Sequence, residues 1–253
     1  MVHLAALPGS PRDGGNFEET LSRARADALA LAEGGADAIM VENFFDAPFE
    51  KGRVPAHTVA ALTRAALEIR AATPNTPLAI NCLRNDALSG LAVAHIVGAQ
   101  FVRVNVWVGA AVTDQGIIEG AAREAVLYRK FLGAQNISLF ADVFVKHAAQ
   151  LGDGSMTLTD AAKDAVYRGL ADALIVSGAA TGAATSEETV REAAKAVPGT
   201  PILVGSGFSR ETARSLLAAG ACGAIVGTNL KETESIASPV SAEKVRALRA
   251  ALG

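Results

Sequence analysis

Residues 201–229, PILVGSGFSRETARSLLAAGACGAIVGTN, contain one complete period of the pattern that decides the fold. An apolar run from Ile202 to Ser206 ends in small residues, Ser209 stands ahead of RETA, and a second apolar run from Gly223 to Gly227 again ends in small residues. A short apolar run bounded by glycine reads as a buried strand. Ser209 reads as a helix start, because a short side-chain oxygen can accept from an unsatisfied amide of the first helical turn. The stretch is therefore strand, loop, helix, strand.

The same unit recurs in both directions along the chain. Strand-like runs lie at Met1 to Ala5, Ala38 to Glu42, Leu78 to Cys82, Phe101 to Asn105, Ser138 to Asp142 and Ala173 to Ser177, which with the two above makes eight. Between them Leu21, Ala24, Ala28 and Leu31 recur at helical spacing, as do Val59, Leu62, Ala66 and Ile69, and Val245, Leu248 and Leu252 mark a closing helix. Asn16 with Glu19 three residues on is a capping pair. Eight alternations without a linker, a low-complexity segment or a shift in composition predict a single (β/α)8 TIM barrel across residues 1–253, with an open doubly wound sheet as the alternative. Segments entering strands are short (GGADA, PNTP, VGAQ, VPGTP), whereas those leaving them are long at 5–16, 42–56, 105–116 and 143–159. In a parallel barrel the long loops share the C-terminal end of the strands, where active sites are built.

Composition narrows the function classes. With 253 residues, half of them hydrophobic and 19% charged, the chain can bury a large core, and its net charge of -3 with no basic stripe disfavours a nucleic-acid partner. Cys82 and Cys222 lie far apart without CxxC spacing, which suits a reducing cytoplasm better than a disulfide framework. The start MVHLAALPGSP has no charged leader, and the apolar runs are shorter than the roughly 20 residues a membrane helix needs, so a soluble cytoplasmic protein is expected.

Strand parity selects the candidate site. In FVRVNV, Val102, Val104 and Val106 suit the helix-facing layer, so Arg103 and Asn105 should face the other way. The same test brings His3, Glu42, Asn81 and Asp142 to the same side. A buried arginine cannot give up its charge, so Arg103 needs Glu42, Asp142 or an anionic ligand beside it; a purely structural ion pair would satisfy it equally. Glu42 and Asp142 are the candidate acid/base pair, with Arg103, Asn81 and Asn105 orienting hydroxyls or stabilising negative charge. A divalent metal at His3, Glu42 and Asp142 suits those ligand types, but nothing in their spacing requires it, and no cofactor is required.

The last three strand ends carry only small residues: SGAATGAAT from Ser177, GSG from Gly205 and GTN from Gly227. Small residues permit close approach, backbone amides donate without a desolvated cation, and helix starts add partial positive charge, which is what a phosphate needs. Ser177, Gly178, Gly205, Ser206, Gly207, Gly227 and Thr228 are the candidate phosphate-binding residues, with a short extra helix expected at Thr228 to Lys231.

These stretches also carry a family resemblance. MVHLAALPGSP, ADAIMVENFFDAPF, INCLRNDA, VRVNVWVGAAVTDQGIIEGAA, LFADVFVKHAAQL, GLADALIVSGAATG, VGSGFS and AIVGTNLK together resemble the BtpA/SgcQ family through essentially the whole chain. The resemblance implies a barrel of the ribulose-phosphate-binding type. Its namesake is a factor for stable accumulation of photosystem I, and other members carry nucleosidase or sugar-metabolism labels. Family members usually have more residues before the VHL strand, so a short first strand is expected here. ENFF stands where ENFG or ENYG is the rule, and the extra aromatic at Phe45 is placed to narrow the mouth.

Other residues have two readings each. Lys146 and His147 could supply an amine or a proton shuttle, or a solvated basic loop. Cys82, of opposite parity to Asn81, reads as a buried inert thiol. Trp107, Thr113, Asp114 and Gln115 lie in a stretch that reads as a lid or a packed loop. The sequence thus points to an enzyme acting on a small phosphorylated sugar-like or nucleoside-like metabolite, with lyase, isomerase and glycosidic cleavage all open; the competing class is a non-catalytic assembly factor, and a homo-oligomer is open in either case.

Overall fold

Every predicted apolar run carries a strand, most of them shorter than the run itself. The computed structural model describes residues 1–145, 148–151, 154–178 and 184–252. In chain order the strands are β1 (Val2–His3), β2 (Ile39–Glu42), β3 (Leu78–Asn81), β4 (Phe101–Val104), β5 (Ala110–Thr113), β6 (Gly116–Glu119), β7 (Ser138–Val143), β8 (Ala149–Gln150), β9 (Ala173–Val176), β10 (Ile202–Val204) and β11 (Gly223–Ala224). Eight of them form one sheet in the order β1-β2-β3-β4-β7-β9-β10-β11, which follows the chain. With helices between them, this is the α/β barrel arrangement that the alternation predicts. By its internal contacts the chain divides into two compact units, Met1–Val102 with Gly227–Gly253, and Arg103–Val226.

The first unit packs α1 (Phe17–Glu33), α2 (Ala56–Ala72), α3 (Ala87–Val97) and α8 (Ala242–Leu252) around β1 to β3. Asn16 caps α1 by accepting from the Glu19 amide, and Leu21, Ala24, Ala28 and Leu31 form its buried face, as their spacing requires. Asp86 caps α3 in the same way, and Gly98, at φ 67°, ends it in the left-handed region open to glycine. Gly90 lets α3 approach the sheet: a Cβ there would lie 3.3 Å from Val102 and 3.6 Å from Cys82. Val102 and Cys82 therefore face the helix layer, the side their parity assigns. Residues from the C-terminal stretch return to α1, where the buried Lys231 ammonium meets Asp27 at 2.8 Å.

The second unit contains α4 (Ala122–Phe131), α5 (Leu158–Lys163), which runs into a π-helical turn at Asp164–Arg168, α6 (Glu187–Ala196) and α7 (Ala213–Ala218). One expectation is corrected here. Residues 105–116 are not simply a loop, since β5 and β6 form a hairpin that β8 joins on its other edge to make a three-stranded antiparallel sheet. Ala111 and Ile118 face each other across the hairpin on a buried side, with Val106 and Val145 completing a small separate core. Ser209 stands one turn ahead of α7, which begins at Ala213, and bonds as a cap does: its hydroxyl accepts from the Thr212 amide at 3.4 Å and its carbonyl from the Ala213 amide at 2.9 Å. Among the described residues no helix is long and apolar enough to cross a membrane.

Candidate active site

In the first unit, register places three of the predicted residues on one rung. His3 is the partner of Glu42, and Glu42 is the partner of Asn81. Paired residues in a parallel sheet point to the same face, so the three side chains line up across three strands. Glu42 and Asn81 are buried, and the Asn81 amide nitrogen donates to Glu42 Oε2 at 2.5 Å. With that nitrogen committed, Asn81 Oδ1 is left buried and without a hydrogen-bond partner among the described residues. Gly227 backs onto the same rung: a Cβ there would lie 3.0 Å from the His3 ring. Phe44 meets His3 edge-on at 5.0 Å, and Phe45 meets Phe44 in turn at 5.2 Å. Thr228 opens the expected extra turn, a 3-10 helix over Thr228–Leu230, and as its first residue has no intrahelical acceptor for its amide.

Sequence reading missed the pair that holds these loops. Asn43 donates to Asp46 Oδ2 at 3.0 Å and accepts from the Leu83 amide at 2.7 Å, while Asp46 Oδ1 accepts from the Leu7 amide at 2.7 Å. Two short polar side chains thereby tie together the loops that follow β1, β2 and β3. Burial, the largest influence, pushes the Asp46 carboxyl above its ordinary range, against the lowering effect of the Leu7 and Asn43 donors. The available signal was the Asn and Asp three residues apart in ENFFD, a spacing suited to local side-chain bonding.

In the second unit, Arg103 and Asp142 form the buried ion pair that parity anticipated. Arg103 Nη2 lies 3.0 Å from Asp142 Oδ2, its Nε lies 3.2 Å from both carboxylate oxygens, and Asn105 Nδ2 donates to Oδ2 at 2.6 Å. The two side chains of the pair are 8% and 1% exposed, so their charges meet away from water. Most of these donors converge on Asp142 Oδ2, whereas Oδ1 receives only the Nε contact that it shares with Oδ2. Asn105 Oδ1 is buried and has no hydrogen-bond partner among the described residues.

The strand ends beyond Asp142 differ in part from an open anion cradle. Asp142 is in register with Ile175 and Ile175 with Leu203, so Ser177, two residues beyond Ile175, lies on the same face. The Gly205 amide is used by Val176 O at 2.7 Å, and the Gly178 amide by Ser206 Oγ at 2.9 Å. Gly205 is small for a packing reason, because a Cβ there would overlap Ser177 Oγ and lie 2.7 Å from Ile175. Among the described residues, Ser177 Oγ is buried without a hydrogen-bond partner. Gly207, at φ 70° and pressed against Ala184, donates its amide to no partner among the described residues. Residues 179–183 of the remaining glycine-bearing loop, and Lys146 and His147, lie outside the described residues.

Beside Asp142, in this same unit, a cleft is lined by Asn105, Trp107, Phe144, Met156, Ala161 and Ala165. The Trp107 indole donates to Ala165 O at 3.2 Å. Cys82 is buried, and burial pushes its thiol well above the ordinary range, which suits an inert side chain. Among the described residues no three His, Cys, Asp or Glu side chains come together in a group able to hold a metal ion.

The BtpA family's sequence profile matches residues 1–252. The chain is 45% identical to the photosystem I biogenesis protein BtpA of Synechocystis sp., over 98% of this chain and 84% of that one. It is 46% identical to an uncharacterized protein of Pyrococcus furiosus, over 98% and 91% of the two chains. Among solved structures, thiamine phosphate pyrophosphorylase from Pyrococcus furiosus superposes with a TM-score of 0.59 at 17% identity, covering 90% of this chain and 88% of that one. Phosphoribosyl anthranilate isomerase from Thermus thermophilus superposes at 0.57 and 17% identity, covering 90% and 93%. At these identities the likeness is one of fold.

Proposed function

We infer the activity from one premise, that the chain belongs to the BtpA family. We propose that it is an enzyme acting on a small phosphorylated sugar-like or nucleoside-like metabolite. The observation that carries this reading is, in the second unit, a pair of buried side-chain oxygens, Asn105 Oδ1 and Ser177 Oγ, that lack hydrogen-bond partners among the described residues; Asn81 Oδ1 is in the same condition in the first unit. Leaving such a group unsatisfied costs roughly 1 to 3 kcal/mol, so strand-end residues that carry one, taken within either unit, are better suited to a bound ligand than to a purely structural core. The fold neighbours named for phosphorylated compounds support the phosphate handle by analogy alone.

Roles follow from the bonding. Glu42 is the proton-transfer group, oriented by Asn81. In the second unit, taken by itself, Asp142 fixes Arg103 as the group for developing negative charge, and Asn105 is the residue offered to a ligand. In the second unit the Gly207 amide and the Ser177 hydroxyl are the donors offered to phosphate; in the first, Gly227 and Thr228 are the corresponding residues of the next loop. Lyase, isomerase and glycosidic cleavage are each compatible with one proton-transfer group and a phosphate handle. The decisive measurement is thermal stabilisation by inorganic phosphate and by a pentose phosphate, followed by turnover of any compound that stabilises. Glu42→Gln should keep the fold and lose about a hundredfold or more in turnover, typical of removing a positioned acid or base.

A second reading, a non-catalytic assembly factor, is favoured by the 45% identity to a photosystem I biogenesis protein. It stands instead if no phosphorylated compound stabilises the chain at millimolar concentration.

A further inference from the structure

Thr185 stands directly ahead of Ser186, which caps α6 by accepting from the Thr189 amide. It is only 4% exposed, although threonine in a connecting segment is ordinarily open to water. Both of its donors go to one acceptor. The Thr185 hydroxyl donates to Ser206 O at 3.0 Å, and its amide donates to the same oxygen at 3.4 Å. On the far side of the turn, the Thr212 hydroxyl donates to Gly207 O at 3.1 Å. The backbone at 206–207 is thus held by hydroxyls from the starts of α6 and α7, all inside the second unit.

What this clasp fixes is the direction of a donor. The Ser206–Gly207 peptide is trans, and in a planar trans peptide the C=O and N–H point in opposite directions. With Ser206 O drawn toward Thr185, the Gly207 N–H points away from it, and it meets no partner among the described residues. Gly207 leaves the plane little room to turn, since it sits at φ 70° and a Cβ there would overlap Ala184. We propose that Thr185 is the positioning residue of the anion site in the second unit, aiming the Gly207 amide at phosphate through the carbonyl of the same peptide group. The inference rests on the phosphate reading for what the amide meets, and adds how the chain turns it there. Direction matters because a hydrogen bond weakens steeply as it bends. Thr185 itself touches no ligand and acts through the peptide plane alone.

The test uses the full chain with glycine nitrogen isotope-labelled for NMR, read at the Gly207 amide resonance and titrated with inorganic phosphate. Thr185→Val keeps the side chain's shape and removes its hydroxyl. It should displace the Gly207 resonance before any phosphate is added and weaken phosphate about tenfold, the loss expected of one misaligned hydrogen bond. Thr185→Ser keeps the hydroxyl and should match the wild type in both readings. Thr185→Ala removes the hydroxyl without setting a methyl against the carbonyl, which keeps the test open if Thr185→Val fails to fold. A lower melting temperature with an unmoved Gly207 resonance and unchanged phosphate affinity assigns Thr185 to packing alone and overturns the inference. Phosphate binding that leaves the wild-type Gly207 resonance where it was overturns it as well. If the wild type binds no phosphate while Thr185→Val still displaces the Gly207 resonance, the phosphate handle fails and the aiming of the amide stands. If neither happens, both fall.

Discussion

At the scale of single residues, Asp142 and Asp46 are both buried carboxylates but should answer removal differently. Asp142→Asn takes from Arg103, 8% exposed, its carboxylate partner, and breaking a buried pair in this way costs roughly 3 to 5 kcal/mol. For a chain of this size that corresponds to a melting temperature lower by about 10 °C. Asp46 forms no salt bridge among the described residues, and burial raises its carboxyl's pKa despite the lowering effects of the Leu7 and Asn43 donors and of His57 nearby. Asp46→Asn removes that desolvated charge but also puts an N–H against either the Leu7 amide or the Asn43 amide, both donors now. The lost acceptor outweighs the relieved charge, so a net loss of about 1 to 3 kcal/mol is expected at neutral pH. The pH dependence has a definite sign. Because the folded state holds the Asp46 proton more tightly than the unfolded state, this group's contribution to stability falls as pH rises from the unfolded value through the raised folded one. Wild-type stability relative to Asp46→Asn should therefore decline over that window and level off above it, which urea unfolding of both proteins across pH can check.

At the scale of elements, the eight sheet strands were legible because each is a short apolar run between glycine or polar punctuation, and the His3, Glu42 and Asn81 rung followed from period-two parity. The hairpin of β5 and β6 was not legible. Its buried pair Ala111 and Ile118 alternates with an exposed pair that is also apolar, Val112 and Ile117, both above 40% exposed, so the period-two signal is flattened. The short β8 strand, two residues long, has no signal of its own. The extent of the amide cradle was also beyond the sequence, because Gly205 and Gly178 spend their amides on partners that only the folded register brings near. A test at this scale is Gly169→Ala. The added Cβ would fall 2.7 Å from Ala165 O and onto the Trp107 indole, so the indole must leave its acceptor. Trp107 emission should shift to longer wavelength, with a stability loss of about 1 to 3 kcal/mol typical of overpacking. An unchanged emission spectrum would show that the indole is not held where the hydrogen bond places it.

At the scale of the whole chain, the first unit is assembled from two stretches separated by more than a hundred residues, Met1–Val102 and Gly227–Gly253. Exposed pairs such as Arg246 with Glu33 and Arg249 with Asp37 also span the two stretches, but in water they contribute little. The buried Lys231 and Asp27 pair is the stronger polar tie. Lys231 is 1% exposed and its ammonium lies 2.8 Å from Asp27 Oδ2, while Asp27 Oδ1 accepts from the Val240 amide at 2.8 Å. One carboxylate thus holds both a buried cation and the backbone just ahead of α8. Sequence reading gave Lys231 no role beyond closing a predicted helical turn, since nothing near it in the chain announces a partner 204 positions away. The asymmetry of the two partners sets up a double-mutant cycle. Asp27→Ala strands the ammonium in the core and frees the Val240 amide, and should cost about 3 to 5 kcal/mol. Lys231→Met keeps the aliphatic stem's packing and leaves Asp27 bonded to Val240, so it should cost clearly less. The double variant has no buried unpaired charge and should recover a large part of the Asp27→Ala loss, a coupling that thermal or urea unfolding of the four proteins measures. If the two losses simply add, the pair is not what joins the C-terminal stretch to α1, and the apolar contact in which Gly34 leaves no room for a side chain against Val245 carries that junction instead.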